Sequence, residues 1–252
     1  MSQKFLKQRL PLGSKFEELI IKFLETFEQL QIINTGALKE HLEKDLNTDI
    51  WKQDQFKKHK PLLMLRWLPD LMIINASKEI SLFADVKFMY TPIYLDTLPK
   101  QISENTGIEI KKHEIGNIER EAYDSYISWI NGGAKVAIIS LATFHPNLIL
   151  SEFADQVEIL FRDERERNHF SSGSTTPRVN IHLSKMKNFF EFIEDNLLKE
   201  KIDEQRREKF MQYCKENFSF IGLPRSIAAS SAQKVQSELS SITKRNLRFL
   251  EI

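Results

Sequence analysis

The chain contains a single cysteine, Cys214. One thiol excludes an intramolecular disulfide framework and a zinc–thiolate centre, and it fits a reducing cytoplasm, the expected location. No apolar stretch reaches the roughly 18 residues that a membrane span needs, so no membrane partner is expected. The opening MSQKFLKQRL lacks a long apolar segment and a small-residue cleavage motif, and no signal peptide is read there. An excess of one charge is lacking too: 36 Lys and Arg oppose 35 Asp and Glu, a net +1. A nucleic-acid partner would have to be gripped by a local patch, because whole-molecule attraction is weak. Glycine is sparse, eight residues against eighteen phenylalanines, as expected of a well-filled core. Internal repeats, phosphate-binding glycine loops, GxSxG elbows and Cys/His arrays are all missing.

What is present points to an α/β protein. The 252 residues, 41% of them hydrophobic, suffice for one large domain or a domain with an appendage, and argue against general disorder. Phe16, Leu19, Ile20, Phe23, Leu24, Phe27 and Leu30 recur at helical spacing, predicting an amphipathic helix over 14–30, with Ser14 and Glu17 placed as a capping box. Residues 36–60 read as a second helix and a basic loop. Residues 62–74 read as a strand interrupted by Pro69-Asp70, 75–79 as a polar turn, and 80–89 as the partner strand of a hairpin. Residues 91–118 read as irregular. A helix over 119–130 is ended by Asn131-Gly132-Gly133 and followed by a central strand over 135–142. Residues 151–168 read as helical, 178–183 as a strand, and 185–214 as helical. A shift in composition near residue 200 divides the chain into a domain over 1–199 and a helical C-terminal extension over 200–252.

The pattern that carries chemistry is Pro69-Asp70, then fourteen residues, then Asp85-Val86-Lys87. Asp70 is read late in one strand and Asp85 late in the next, brought together by a bulge or splay in the pairing. Two hard carboxylate ligands with several waters suit Mg²⁺, which seldom uses a full protein cage. Such an ion polarises a phosphate oxygen and lowers the pKa of a water. Alternation along a strand puts Asp85 and Lys87 on one face, where Lys87 can orient the water or stabilise charge developing on phosphorus. Val86 points away, with its carbonyl as a further candidate ligand. Phe83, Ala84, Val86 and Phe88 surround the charged pair with apolar groups, which makes idle charges costly. The bland alternative is a surface salt bridge.

On Pro69, Asp70, Asp85 and Lys87 the sequence resembles the PD-(D/E)xK nuclease superfamily, the restriction-endonuclease-like fold. The resemblance covers roughly residues 13–145. It implies a core that runs helix, three-stranded meander, helix, strand. Two of the meander strands are legible; the third is expected within 91–118. It also implies a catalytic set of Asp70, Asp85 and Lys87, with a glutamate on the first helix. Glu17 lies at the edge of that helix's apolar face and Glu18 opposite it, so Glu17 is chosen. On the helix over 119–130, Glu119 shares the face of Tyr123, Tyr126 and Ile130, while Glu121 matches a spacing seen in resolvase-like members; both remain candidates.

The expected activity is Mg²⁺-dependent hydrolysis of DNA phosphodiesters, with Mn²⁺ as a possible substitute. The resemblance extends to restriction, junction-resolving, transposition and phage or defence enzymes, and to a homodimer that would cut both strands. Lys57, Lys58 and Lys60 in the basic loop, and Lys111 and Lys112 further on, are candidate phosphate contacts. Arg225, Lys234, Lys244, Arg245 and Arg248 offer a basic face for DNA or for dimerisation. The rival readings are a catalytically silent nucleic-acid-binding member of the same fold, with an accessory protein supplying the grip, and an interaction protein in which Asp70, Asp85 and Lys87 form an ion-pair network.

Overall fold

The computed structural model describes residues 3–36, 64–65, 67–89, 98–111, 114–142, 149–163 and 177–217. Helix α1 (Gln3–Glu25) comes first. Its apolar stripe behaves as the spacing predicts: Phe16, Leu19, Ile20, Phe23 and Leu24 are buried. The helix nevertheless begins eleven residues before Ser14, so Ser14 is not at its start and the expected capping box is replaced by helix interior. It also stops earlier than expected. Turn hydrogen bonds from Thr26 to Phe23 and from Phe27 to Leu24 close it. Leu30 belongs instead to strand β1 (Leu30–Asn34).

β1 pairs antiparallel with β2 (Leu71–Asn75), and β2 with β3 (Ile80–Met89). These three form the meander. Its missing strand therefore lies before Pro69 rather than within 91–118. In that later stretch the structure has helix α2 (Leu98–Thr106) and strand β4 (Ile115–Glu119). The hairpin between β2 and β3 turns through Ala76–Lys78 and closes on Glu79 at φ 53, a left-handed position. Helix α3 (Arg120–Asn131) follows and ends at Gly132 and Gly133, the latter at φ 92, which a side chain would disfavour.

Strand β5 (Val136–Ala142) pairs in parallel with β3, the arrangement a crossover connection produces. Every residue of β5 is buried, as a central strand covered on both faces requires. β6 (Ile149–Phe153) extends the sheet antiparallel to β5, and β9 (Lys187–Asn188) extends it beyond β6. Among the described residues the main sheet has the order β1-β2-β3-β5-β6-β9, a mixed sheet. A second sheet joins β4, β8 (Arg178–His182) and β7 (Ile159–Arg162) in that order.

The segment expected to be helical over 151–168 thus contributes the end of β6 and all of β7. Its charged composition misled because Ser151 and Glu152 are buried polar residues held by strand pairing. The helix expected over 185–214 is likewise broken. It comprises β9, α4 (Phe189–Ile193), a π-helical turn (Glu194–Leu198) and α5 (Glu204–Asn217).

Two apolar layers cover the main sheet. One joins α1, α4 and α5 to Leu71, Ile73, Leu82, Ala84 and Val86. A phenylalanine cluster lies within it: the rings of Phe23 and Phe210 lie 4.3 Å apart, with Phe189 and Phe190 against both. The other joins Tyr123 and Tyr126 of α3 to Met89, Ile138 and the second sheet. Residues 204–217 of the expected extension belong to the first layer through buried Phe210 and Cys214; residues 218–252 lie outside the described residues. No helix among the described residues is long and apolar enough to cross a membrane.

Candidate active site

Asp70 precedes the first residue of β2, rather than ending a strand. This corrects the expected geometry in a way that helps it. The late ends of two consecutive antiparallel strands lie at opposite ends of a hairpin, whereas the start of one meets the end of the next. Leu71 pairs with Ala84 and Met72 with Phe83, and the same register one step further sets Asp70 opposite Asp85. No bulge is needed. Directly opposed residues point to the same face of the sheet.

That face is the one covered by α3. Ala84 and Val86 belong to the layer against α1, and Met89 to the layer against α3. Asp85 and Lys87, alternating with the former, share the α3 side. Asp85 is only 2% exposed. Lys87 Nζ lies 2.8 Å from its Oδ2 and 3.0 Å from its Oδ1. Among the described residues, only the contact to Oδ1 is aligned as a hydrogen bond; the buried Oδ2 is charge-paired but has no aligned donor. Val86 contributes its N–H, which donates to Asp70 Oδ2 at 2.9 Å, while its side chain faces the opposite layer. The carbonyl expected as a ligand is not the Val86 group seen to engage the pair.

The approach to Asp70 is clamped from both sides. The N–H groups of Thr35 and Gly36 donate to Asp70 O at 2.9 and 3.1 Å, and the Thr35 hydroxyl donates to Pro69 O. On the other flank, Ser125 Oγ donates to Trp67 O and Trp129 Nε1 to Met64 O, tying the lead-in segment to α3.

Burial pushes the Asp70 carboxyl up, and the Asp85 charge adds to it, while Lys87 and the Val86 N–H pull the other way; the result is about 7. The cause is simple electrostatics: two carboxylates in a poorly solvated site resist carrying two charges. Burial alone would lower the Lys87 ammonium, but the charges of Asp85 and Asp70 outweigh it and hold it raised, with a smaller contribution from Glu119. Lys87 is therefore cationic.

Glu17 reaches the same end of the sheet from α1. It is half-buried, accepts from Asn34 Nδ2 at 3.3 Å, and its charge is felt at Asp70. Glu18, by contrast, is exposed and paired with Lys22 at 2.8 Å. Gly36 lies beside Glu17: a Cβ there would sit 3.5 Å from Glu17 Oε1 and 3.1 Å from Asn34 Oδ1. Of the two glutamates near α3, Glu119 acts on both Lys87 and Tyr126. It is the last residue of β4 and the N-cap of α3, not a helical residue.

Tyr126 is the group that sequence reading assigned only to packing. It is 1% exposed, and burial raises its phenol well above the ordinary range, with the nearby charges of Asp85 and Asp70 adding to the shift. The signal was available, since Tyr126 shares a helical face with Glu119, but periodicity does not show which packed rings lie beside a charged pair. Thr35 and Gly36 gave no signal at all. Among the predicted phosphate contacts, Lys111 is exposed in the loop after α2. Lys57, Lys58, Lys60 and Lys112, and the basic residues from Arg225 to Arg248, lie outside the described residues.

No group of three His, Cys, Asp or Glu residues suited to a metal forms among the described residues. The donor set is two carboxylates, within the one or two that Mg²⁺ commonly takes from a protein. Comparison with protein-family models, with curated proteins and with solved structures gave no match.

Proposed function

We propose that the protein is a metal-dependent DNA endonuclease of the restriction-endonuclease-like, PD-(D/E)xK type. The observation that carries this reading is the opposition of Asp70 and Asp85 across β2 and β3 with Lys87 on the same face. The order α1, three-stranded meander, α3, β5 supports it, being the order that the resemblance implies, with α2 and β4 inserted before α3.

Mg²⁺ suits this site, and so does Mn²⁺. The residues offer hard oxygen donors on two opposed carboxylates, and among the described residues the buried Asp85 Oδ2 has no aligned hydrogen-bond donor. Lys87 already brings one positive charge to that oxygen, so the fit to a cation rests on the paired carboxylates of Asp70 and Asp85. Asp70 and Asp85 are the residues that would hold the ion, with Glu17 in support. Bound there, a divalent cation supplies Lewis-acid activation of a phosphate oxygen and a more acidic water.

The chain's own groups do the rest. Lys87, fixed by its ion pair to Asp85, presents a cation where negative charge accumulates on the phosphoryl oxygens. The Val86 N–H and the main-chain clamp from Thr35 and Gly36 hold Asp70 in place before substrate arrives, so little reorganisation is needed. A homodimer would bring two such sites to the two strands of a duplex.

The test is cleavage of supercoiled plasmid, linear duplex, four-way junction and single-stranded DNA by the full chain, with Mg²⁺, Mn²⁺ or EDTA. The expected outcome is metal-dependent cutting that disappears in Asp85→Ala and Lys87→Ala. Absence of cutting on every substrate, with DNA binding equal in wild type and both variants, would replace this reading with the catalytically silent binder.

A further inference from the structure

Resting on the metal-site reading above, we infer that Ser140 is a positioning residue for Lys87: its hydroxyl accepts a hydrogen bond from the ammonium when a divalent cation takes an oxygen of Asp85. Two observations converge on Lys87. Along its own strand, its Nζ lies 3.0 Å from Asp85 Oδ1 and 2.8 Å from Oδ2. Across the ladder between β3 and β5, its register partner is Ser140. Ala137, Ile139 and Leu141 of β5 belong to the layer against α1, whereas Val136, Ile138 and Ala142 belong to the layer against α3. Ser140 alternates with the former, so it shares the α3 side with Asp85 and Lys87. Paired strands lie about 4.8 Å apart, within the span of a lysine side chain. Ser140 is wholly buried, and among the described residues its hydroxyl has no hydrogen-bond partner.

An ammonium carries three donors and no acceptor. In the metal-free protein Lys87 faces both oxygens of one carboxylate, and among the described residues only its contact to Oδ1 is an aligned hydrogen bond. A cation needs lone pairs of that same carboxylate and repels the ammonium, so the unaligned contact to Oδ2 is the one given up. Ser140 Oγ offers two lone pairs beside the same side chain and carries no charge. It replaces the lost contact without neutralising the lysine and without competing for the cation as a third carboxylate would. Lys87 is then fixed from two strands, by Asp85 Oδ1 on β3 and by Ser140 on β5, with its third N–H left for a phosphate oxygen. Ser151 supplies the contrast. It too is wholly buried and has no hydrogen-bond partner among the described residues, but it pairs with Ile139 and so lies on the α1 side, away from the ammonium. Groups that orient the residues of a metal site typically change metal affinity by about 10- to 100-fold when removed.

The test is calorimetric titration of the full chain with MgCl₂ in wild type, Ser140→Ala, Lys87→Met and the double variant, with Ser151→Ala and Asp85→Asn as controls and metal-free melting curves alongside. The expected result is a Kd raised about 10- to 100-fold by Ser140→Ala, with no further rise when the same change is made in Lys87→Met and none in Ser151→Ala. The metal-free Tm of Ser140→Ala should equal or exceed that of wild type, because the hydroxyl removed has no partner in that state among the described residues. A Kd within twofold of wild type overturns the role of Ser140 while leaving the metal site standing. An equal rise in the Lys87→Met background or in Ser151→Ala overturns it as well, since the hydroxyl would then act without the lysine. A lowered metal-free Tm, or failure of Ser140→Ala to fold, also overturns it, because the hydroxyl would already be engaged before a cation binds. Equally tight binding by Asp85→Asn, or no saturable binding by wild type, overturns the metal site itself.

Discussion

Asp70 and Asp85 stand opposite one another in the register of two antiparallel strands, although fourteen residues of chain separate them. The hairpin turn at Ala76–Lys78 makes this possible by returning β3 along β2 without a bulge. The result is a pair of carboxylates with one shared counter-ion, Lys87, in a site sheltered by α3.

The raised Asp70 carboxyl makes metal-free stability depend on pH. Its folded value, about 7, lies above the ordinary carboxylate range, so the native state holds the proton more tightly than the unfolded chain does. The stabilisation is fully present below the unfolded pKa and is lost as pH rises through about 7. The difference corresponds to at most about 4 kcal/mol. Urea melts in EDTA at pH 5 and pH 8 should show wild type losing stability at the higher pH. Asp70→Asn should flatten that dependence; an unchanged slope would contradict the assignment.

Metal affinity should carry the opposite dependence. A cation displaces the proton that Asp70 retains near neutrality, so binding releases protons and tightens with pH. Calorimetry in buffers of different ionisation enthalpy should find proton release below about pH 7 and little above it.

Lys87 couples stability and activity. Lys87→Met removes the charge facing buried Asp85, so metal-free Tm should fall and added Mg²⁺ should restore part of it. If the lysine stabilises developing charge, its loss should lower kcat by about 10²–10³-fold with modest effect on DNA affinity. A change confined to KM would assign Lys87 to substrate binding instead.

Gly116 tests the packing beneath the site. A Cβ on this β4 residue would meet Leu183 Cδ2 and Met89 Sδ at 2.7 Å each, and Met89 ends β3 beside the charged pair. Overpacking of this kind costs about 1–3 kcal/mol, so Gly116→Ala should lower the urea midpoint measurably.

Glu194, in the π-helical turn after α4, has the reverse electrostatics. Burial pushes its carboxyl up, but the Ile202 N–H and the side chains of Lys201 and Arg207 outweigh that and hold it low. Its stabilisation is present above the unfolded pKa and lost as pH falls through the folded one. Glu194→Gln should cost about 1.5–3 kcal/mol at pH 7 and progressively less in acid, read by urea melts at pH 7 and pH 3.

The sequence by itself determined the two acids, the lysine and the apolar neighbours that make their charges expensive. It determined the stripe that buries α1, the hairpin strand over 80–89 and the wholly apolar β5, because each is written in local periodicity. It also separated Glu17 from Glu18, since the two sit on different sides of one helical wheel. Tertiary structure decided what depends on pairing between distant segments. Only the sheet register shows that Asp70 begins its strand and meets Asp85 without a bulge. β1 was concealed behind the helix stripe, which Leu30 continues in sequence but leaves in space. β6 was concealed by polar residues, Ser151 and Glu152, that only neighbouring strands and covering layers could bury.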